Sequence, residues 1–264
     1  MNPTFALFTF AAAALGLACL AGCSTNTAPA TANANGNDSS ASAVNATNTQ
    51  GNAGGSSPEA THAEIYYQGH GSLRVTTAEG KVIYVDPFAG DGYDKTADAI
   101  IITHAHYDHN GLENIASKSA DCVTITQDDA LAGGSHSTFD LGFAKVQAVQ
   151  AGFNANHNVA ECVGYVITLS SGQTIYVSGD TSTTDDMRDG TLAALDIDYA
   201  FFCCDGVYNM GPAEAAECAR LVGAKHNTPY HTIAAEAGIF GADQAAAFDA
   251  PNKLVLEPGQ SVTL

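Results

Sequence analysis

Residues 61–264 of this 264-residue chain predict a single α/β domain. Three observations carry the prediction. β-rich and helix-like segments alternate along the stretch. One of them, "ADAIIIT" (97–103), is a continuous apolar run, as in a strand covered on both faces. It leads directly into "HAHYDHNG" (104–111), a histidine and aspartate cluster at a strand's carboxyl end, where α/β sheets gather ligand sites.

The elements follow in order. "AEIYYQG", "SLRVTT" and "KVIYVDP" are short β-rich runs separated by glycine-containing turns, which predicts antiparallel pairing at the start. "NGLENIASKS" (110–119) reads as a helix and "DCVTIT" as the next strand. "FAKVQAVQA" alternates like a half-buried strand, and "ECVGYVITLS" and "QTIYVSGD" are two strands joined by Ser-Gly. "TTDDMRDGTLAAL" (183–195) reads as a helix with an acid-rich first turn. "IDYAFFCC" is a buried strand. "GPAEAAECARLVGA" is a helix with Pro212 near its first turn. "DQAAAFDA" is a short helix, and "KLVLEPGQSVTL" closes with strand character. No Walker A sequence, no G-x-S-x-G and no G-x-G-x-x-G occurs, which removes three common enzyme classes.

The charge is lopsided: 9 Lys and Arg face 28 Asp and Glu. Residues 1–60 hold only Asp38 and Glu59, which leaves 26 acids against 9 bases in the remainder, a net of −17. Nucleic-acid affinity comes largely from cationic contacts to phosphate, so no DNA or RNA partner is expected.

The first 60 residues stand apart. Residues 5–22 are apolar and end in Leu20-Ala21-Gly22-Cys23, which resembles a bacterial lipoprotein signal whose Cys23 thiol takes the lipid. The "MNPT" start lacks the usual Lys or Arg. An uncleaved membrane helix and a mis-assigned start are the competing readings. Residues 24–60 contain no aromatic residue and one branched aliphatic, Val44, too little apolar surface to offset ordering entropy, so they read as a disordered tether. The expected organisation is a signal over 1–23, a tether over 24–60 and a domain over 61–264. The expected location is the extracytoplasmic face of a bacterial membrane. Beyond Cys19 and Cys23, the five remaining cysteines are odd in number and lack C-x-x-C spacing, which favours small buried hydrophobes over a disulfide framework.

His104 and His106 are two apart, so extended chain points them to one side. Asp108 and His109 are adjacent in the turn that follows and can face a second point nearby. Such a cluster can feed two divalent ions. Imidazole with carboxylate suits zinc, and also manganese or iron. Further ligands should come from other strand ends: His157 in "NANHN", Asp180 at the end of "IYVSGD", and His231 in "TPYHT". His226 rivals His231 but precedes Pro229, where the chain is still strand.

H-x-H-x-D-H after a buried strand, then His, then Gly-Asp, then a late His resembles the metallo-β-lactamase superfamily. "GHGSLRV", "VIYVDPF", "DGVYNMGPAEAAECA" and "LEPGQSVTL" are similar to blocks of its short single-domain hydrolases around ascorbate-6-phosphate lactonase, over residues 64–264. The resemblance implies a four-layer αββα sandwich with the site at one edge. It assigns His104, His106 and His157 to one metal, Asp108, His109 and His231 to a second, and Asp180 to both.

The expected function is hydrolysis of an ester, lactone, amide or phosphoester of a small molecule by a metal-bound hydroxide, with Asp108 holding and deprotonating the water. A phosphodiesterase or phospholipase acting on membrane lipid, and a non-catalytic metal- or solute-binding lipoprotein, are the alternatives. Asp180 and His109 argue against an antibiotic-cleaving role. His70 in "GHGS" is expected to be structural. Asp86 is expected either to orient a ligand imidazole or to make the turn before Pro87. Tyr208 and Asn209 either line a substrate pocket or pack beside it. His62 and His136 are expected at the surface.

Overall fold

The computed structural model describes residues 62–264. The signal expected over 1–23 with its Cys23, and the tether expected over 24–60, lie outside those residues. Among the described residues no helix is long and apolar enough to cross a membrane.

Among the described residues, twelve strands form two six-stranded sheets. The first runs β12 (Ser261–Thr263), β1 (Glu64–Gly69), β2 (Ser72–Thr76), β3 (Val82–Val85), β4 (Ala97–Ile101), β5 (Lys118–Ile125). The second runs β11 (His226–Tyr230), β10 (Tyr199–Cys203), β9 (Thr174–Val177), β8 (Val163–Leu169), β7 (Ala144–Gln150), β6 (Thr138–Asp140). The opening strands β1 to β3 pair antiparallel, as their short glycine turns predict. β3, β4 and β5 are parallel, and so are β9, β10 and β11. Five of these strands, β3, β4, β9, β10 and β11, therefore release their next residues at strand carboxyl ends.

The period-two alternation of strand side chains divides the core. On β3, Ile83 and Val85 join the main core with Ile101 of β4, Tyr165 and Ile167 of β8 and Phe201 of β10. Val82 and Tyr84 point the other way, into a smaller cluster with Tyr93, Ile100 and Ile115. The second sheet is covered by helices α2 (Asp185–Arg188), packed on β7, and α3 (Pro212–Val222), packed on β10 and β11, and α4 (Ala242–Ala247) packs against α3. Pro212 sits in the first turn of α3 and Gly223, at φ 70°, ends it in the left-handed conformation. This is the αββα plan, with its first helical layer reduced.

Three expectations change. The helix expected over 110–119 is one 3-10 turn, Leu112–Asn114, and Lys118 already belongs to β5. That segment supplies only Ile115 and part of Leu112 to the outer cluster, too few apolar positions to anchor successive turns. The helix expected over 183–195 stops at Arg188 and resumes as a 3-10 turn at Ala193–Leu195, because Asp189-Gly190 breaks it with Gly190 at φ 85°. The closing stretch is strand only over Ser261–Thr263, since the turn at Pro258-Gly259 puts Gly259 at φ 90°. A short helix α1 (Gln127–Leu131) was not anticipated; Thr126 and Asp129 form a capping box at its start.

The five cysteines in the domain are free, with Cys162, Cys203, Cys204 and Cys218 buried, as expected of small hydrophobes.

Candidate metal centre

The loops at these strand ends converge. Beyond β4, Thr103 and His104 are buried while the chain turns, with the His109 amide donating to the His106 carbonyl at 3.1 Å. His104, His106 and His157 each offer a ring nitrogen, and the three lie within 4.8 Å of one another. His70, Asp108, His109 and His231 form a second such group, and His104, His109 and Asp180 a third. Asp180 stands between the first two. Its Oδ2 is 3.3 Å from His157 Nε2 and 3.3 Å from His231 Nε2, and its Oδ1 is 3.4 Å from His109 Nε2. All seven residues expected from the sequence are thus brought together.

Neighbouring groups fix which ring nitrogen faces inward. Asp86, following β3, accepts from the Thr103 amide at 2.7 Å, the Thr103 hydroxyl at 2.6 Å and His109 Nδ1 at 2.8 Å. The Thr103 hydroxyl, having donated to Asp86, accepts from His104 Nδ1 at 3.1 Å. His157 Nδ1 donates to Asn154 Oδ1 at 3.2 Å. His231 Nδ1 lies 3.3 Å from Asp205 Oδ2. Asp205 in turn is held by the amides of Val207 and Tyr208, each at 2.7 Å, and by Asn209 Nδ2 at 2.9 Å. In His104, His109 and His157 the Nδ1 is hydrogen-bonded, in His231 it faces Asp205 without a hydrogen bond, and in all four the Nε2 is aimed at Asp180, an arrangement typical of metal-binding histidines.

The electrostatics follow from that crowding. Burial opposes ionisation of Asp180, yet His231, His109 and His104 hold it well below the usual carboxylate range. His104 is pushed down to about 2 by burial and then by the His109 ring. Burial likewise lowers His157 and His70. His109 and His231 resist their burial because each lies between two carboxylates, Asp180 with Asp86 and Asp180 with Asp205; His231 is pushed up to about 10.

The residues fit a metal. His104 Nε2, His109 Nε2, His231 Nε2 and Asp180 Oδ1 are all buried and without a hydrogen-bond partner. Orphaned buried polar atoms are costly, and four converging on one point need a shared partner. A divalent cation meets that need with the donor set on hand.

A family model described as a beta-lactamase superfamily domain matches residues 64–231, from the first strand to the last of these histidines. The chain belongs to the metallo-β-lactamase superfamily. A protein named as a metal-dependent hydrolase from Ligilactobacillus salivarius is 34% identical over 188 residues, covering 64% of this chain and 84% of the relative. One from Myxococcus xanthus is 29% identical over 197 residues, 64% of this chain and 70% of the relative. The crystal structure of a protein assigned as a metal-dependent hydrolase from Parabacteroides distasonis superposes with a TM-score of 0.59 at 27% identity, covering 74% of this chain and 91% of that one.

Within the superfamily domain, some side chains fall where the sequence did not place them. His70, expected to be structural, lies against the cluster: its Nε2 is 3.1 Å from Asp108 Oδ2 and its ring centre 3.7 Å from that of His231. Its signal was the glycine on either side. A Cβ on Gly71 would come within 2.7 Å of His109 Cε1, so the hairpin turn can lie on the cluster only with glycine there. Asp86 does both things weighed for it, turning the chain at φ 43° and fixing His109. Asp205 and Asn154 were missed. Asp205 carried the same mark as Asp180, an acid just past a buried strand. His226 is exposed and stacks on Tyr199, away from the cluster. His62 and His136 are exposed as expected. Tyr208 lines a cavity of about 310 Å³ over the cluster, together with Tyr107, Asn156 and Glu236; Asn209 instead braces Asp205.

Proposed function

We propose that this chain is a hydrolase with a dinuclear metal centre, acting on an ester, lactone, amide or phosphoester of a small molecule. The observation that carries the reading is Asp180, buried between two groups of donors with its carboxylate within reach of both. His104, His106 and His157 would hold one ion, Asp108, His109 and His231 the other, and Asp180 both, with zinc the first choice and manganese or iron the next. Divalent ions bound there supply a lowered pKa for water and positive charge for the developing oxyanion.

The chain's own residues do the rest. Asp108 lines the cavity and engages His70 through Oδ2, which leaves Oδ1 both to serve as a ligand and to hold a water and take its proton, so the roles of ligand and base overlap on one atom. Asp86, Thr103, Asn154 and Asp205 keep the imidazoles oriented before substrate arrives, so no reorganisation is needed during reaction. Tyr107 and Tyr208 form the outer wall against which the substrate body rests. The histidines sit at an open cavity, which suits turnover more than simple retention of a solute. We further propose export and lipid attachment through Cys23 at the extracytoplasmic face of a bacterial membrane, and no nucleic-acid partner; the apolar 5–22 segment and the acidic excess support these.

The test is elemental analysis of the purified full chain beside Asp180→Ala, with a hydrolysis screen over esters, lactones, amides and phosphoesters. The reading expects about two ions per chain, a clear loss in the variant, and turnover that follows metal content. A chain that takes up no zinc, manganese or iron on reconstitution overturns it.

A further inference from the structure

The cavity over the cluster is rich in carboxylates and is lined by no lysine or arginine. All nine Lys and Arg of the sequence fall in the described residues, and none of them lines the cavity. Around the donors stand Asp86, Asp108, Asp180 and Asp205, and Glu236 lies at the rim. Two divalent ions would supply four positive charges against these five carboxylates, so even a filled centre leaves the site with one formal negative charge. A substrate phosphate or carboxylate distal to the reacting bond would meet no arginine fork or lysine, and an acid instead.

The outer wall has the chemistry of a cation seat. Tyr107 and Tyr208 are both exposed, 68% and 41%, and both line the cavity. The Tyr208 hydroxyl donates to Glu236 Oε1 at 2.8 Å, which tethers the carboxylate beside the ring, and Asn156 Nδ2 donates to the Tyr208 carbonyl at 3.0 Å. Aromatic faces flanked by a carboxylate attract ammonium groups through the ring quadrupole and through direct charge. The carboxylate is felt by the Tyr208 phenol, whose pKa Glu236 raises through that hydrogen bond.

We propose that the outer half of this cavity selects substrate by charge, taking an ester, lactone or amide whose distal group is cationic, seated against Tyr107, Tyr208 and Glu236, and rejecting phosphorylated or carboxylated analogues. The inference rests on the hydrolase reading and narrows its substrate class, removing phosphorylated lactones and anionic phospholipids. Glu236 is the specificity-determining residue. Rejection comes from the unpaired like charge, selection from the aromatic and carboxylate contacts.

The test uses the metal-loaded full chain and separates binding from turnover. Isothermal titration with benzyltrimethylammonium, benzyl alcohol and benzylsulfonate, an anion that ligates metal weakly, compares one aryl body with three charges. The cation is expected to bind about tenfold more tightly than the alcohol, and the sulfonate more weakly than either, with the preference shrinking at high salt. Glu236→Gln keeps an acceptor for Tyr208 while removing the charge, and should cut the cation's advantage about fivefold. Glu236→Arg should shift the preference toward the sulfonate. In parallel, 4-nitrophenyl esters ending in trimethylammonium, tert-butyl or carboxylate groups report turnover. A sulfonate that binds as tightly as the cation, or a preference unmoved by Glu236→Gln, overturns charge selection. Charge-selective binding with no hydrolysis of any ester, lactone or amide overturns the hydrolase reading and leaves the selectivity standing.

Discussion

His70 Nε2 lies 3.1 Å from Asp108 Oδ2, and the backbone that carries His70 is fixed from three sides. Its amide donates to the Ile239 carbonyl at 2.7 Å, and its carbonyl accepts from the His231 amide at 2.8 Å and from the Tyr67 hydroxyl at 3.0 Å. These bonds hold a non-glycine residue at φ 49°, a conformation that persists only where the surroundings enforce it. The hairpin between β1 and β2 thus sets the position of a carboxylate on another strand end. His70→Ala should lower metal affinity or turnover about 10- to 100-fold, as loss of a group supporting a ligand does. His70→Gln, which can still donate to Asp108, should recover part of it. Metal titration and a separation of kcat from KM on the three proteins check this; equal metal affinity and equal kcat in all three would remove the role.

Asp86 is wholly buried and accepts three hydrogen bonds, two from Thr103 and one from His109. Asp86→Ala strands those donors and should destabilise the fold by about 3 kcal/mol or more, since each buried group left unpaired costs about 1–3 kcal/mol. Asp86→Asn keeps the shape but offers one acceptor oxygen where two were used. It should fold more stably than the alanine variant and still bind metal more weakly than the parent. Denaturant unfolding paired with metal titration separates the two effects.

Gly71 makes the closest approach to the cluster. The Cβ of alanine there would sit 2.7 Å from His109 Cε1, inside any normal contact, and His109 is buried and held by Asp86. Gly71→Ala should therefore push the His109 ring off its position and lower metal content, while the circular dichroism of the sheets stays close to the parent. Gly80, in the next turn, has nothing within 4 Å of such a Cβ, although its φ of 80° makes alanine strained there. Gly80→Ala should lose some stability and keep its metal. The reverse pattern would show that the Gly71 contact does not matter.

Removal of metal should cost stability as well as activity. His104, His109 and His231 each present a buried, unpaired Nε2 beside Asp180, and an ion that binds only the folded chain adds its binding free energy. With the ion at about 100 times its dissociation constant the gain is about 2.7 kcal/mol. Chelation should then lower Tm by roughly 5–10 °C for a domain of this size, and zinc should restore it. Thermal unfolding with and without chelator checks this, and Asp180→Ala should show a smaller chelator effect.

Much of this centre is legible in the sequence because strand periodicity and strand-end position need no tertiary information. His104, His106, Asp108 and His109 follow directly from an apolar run that must be buried. Asp180, His231 and His157 are compatible with other strand ends and loops, but each is a weak signal alone, and it is the family resemblance that assigns them. What the sequence hides is pairing across distance. Asp86 and Thr103 are 17 residues apart and His70 and Asp108 are 38, so their relation appears only once β2, β3 and β4 are laid side by side. The helix expected over 110–119 fails for a related reason. Only Ile115 and part of Leu112 reach the outer cluster with Tyr84 and Tyr93, too few apolar positions for a helical face, and that shortfall shows only once the sheet is in place.

Away from the centre, Asp198 joins β9 to the start of β10 and β11. Its Oδ2 accepts from the Thr174 amide at 2.8 Å, and its Oδ1 meets Lys225 Nζ at 2.7 Å. Partial burial raises its pKa, but Lys225 and Thr174 outweigh that, so the folded carboxyl titrates below the usual value. A depressed folded pKa contributes stability that is present above the unfolded pKa, near 4, and is lost as pH falls through the folded value. Asp198→Asn should cost about 1 kcal/mol at pH 7, the scale of one hydrogen bond to a charged group discounted for the exposed lysine. The difference between parent and variant should hold from pH 8 to about pH 5 and close below about pH 4. Urea unfolding across that range measures it. A gap that stays constant down to pH 3 would place the stabilisation in the shape of the side chain rather than in its charge.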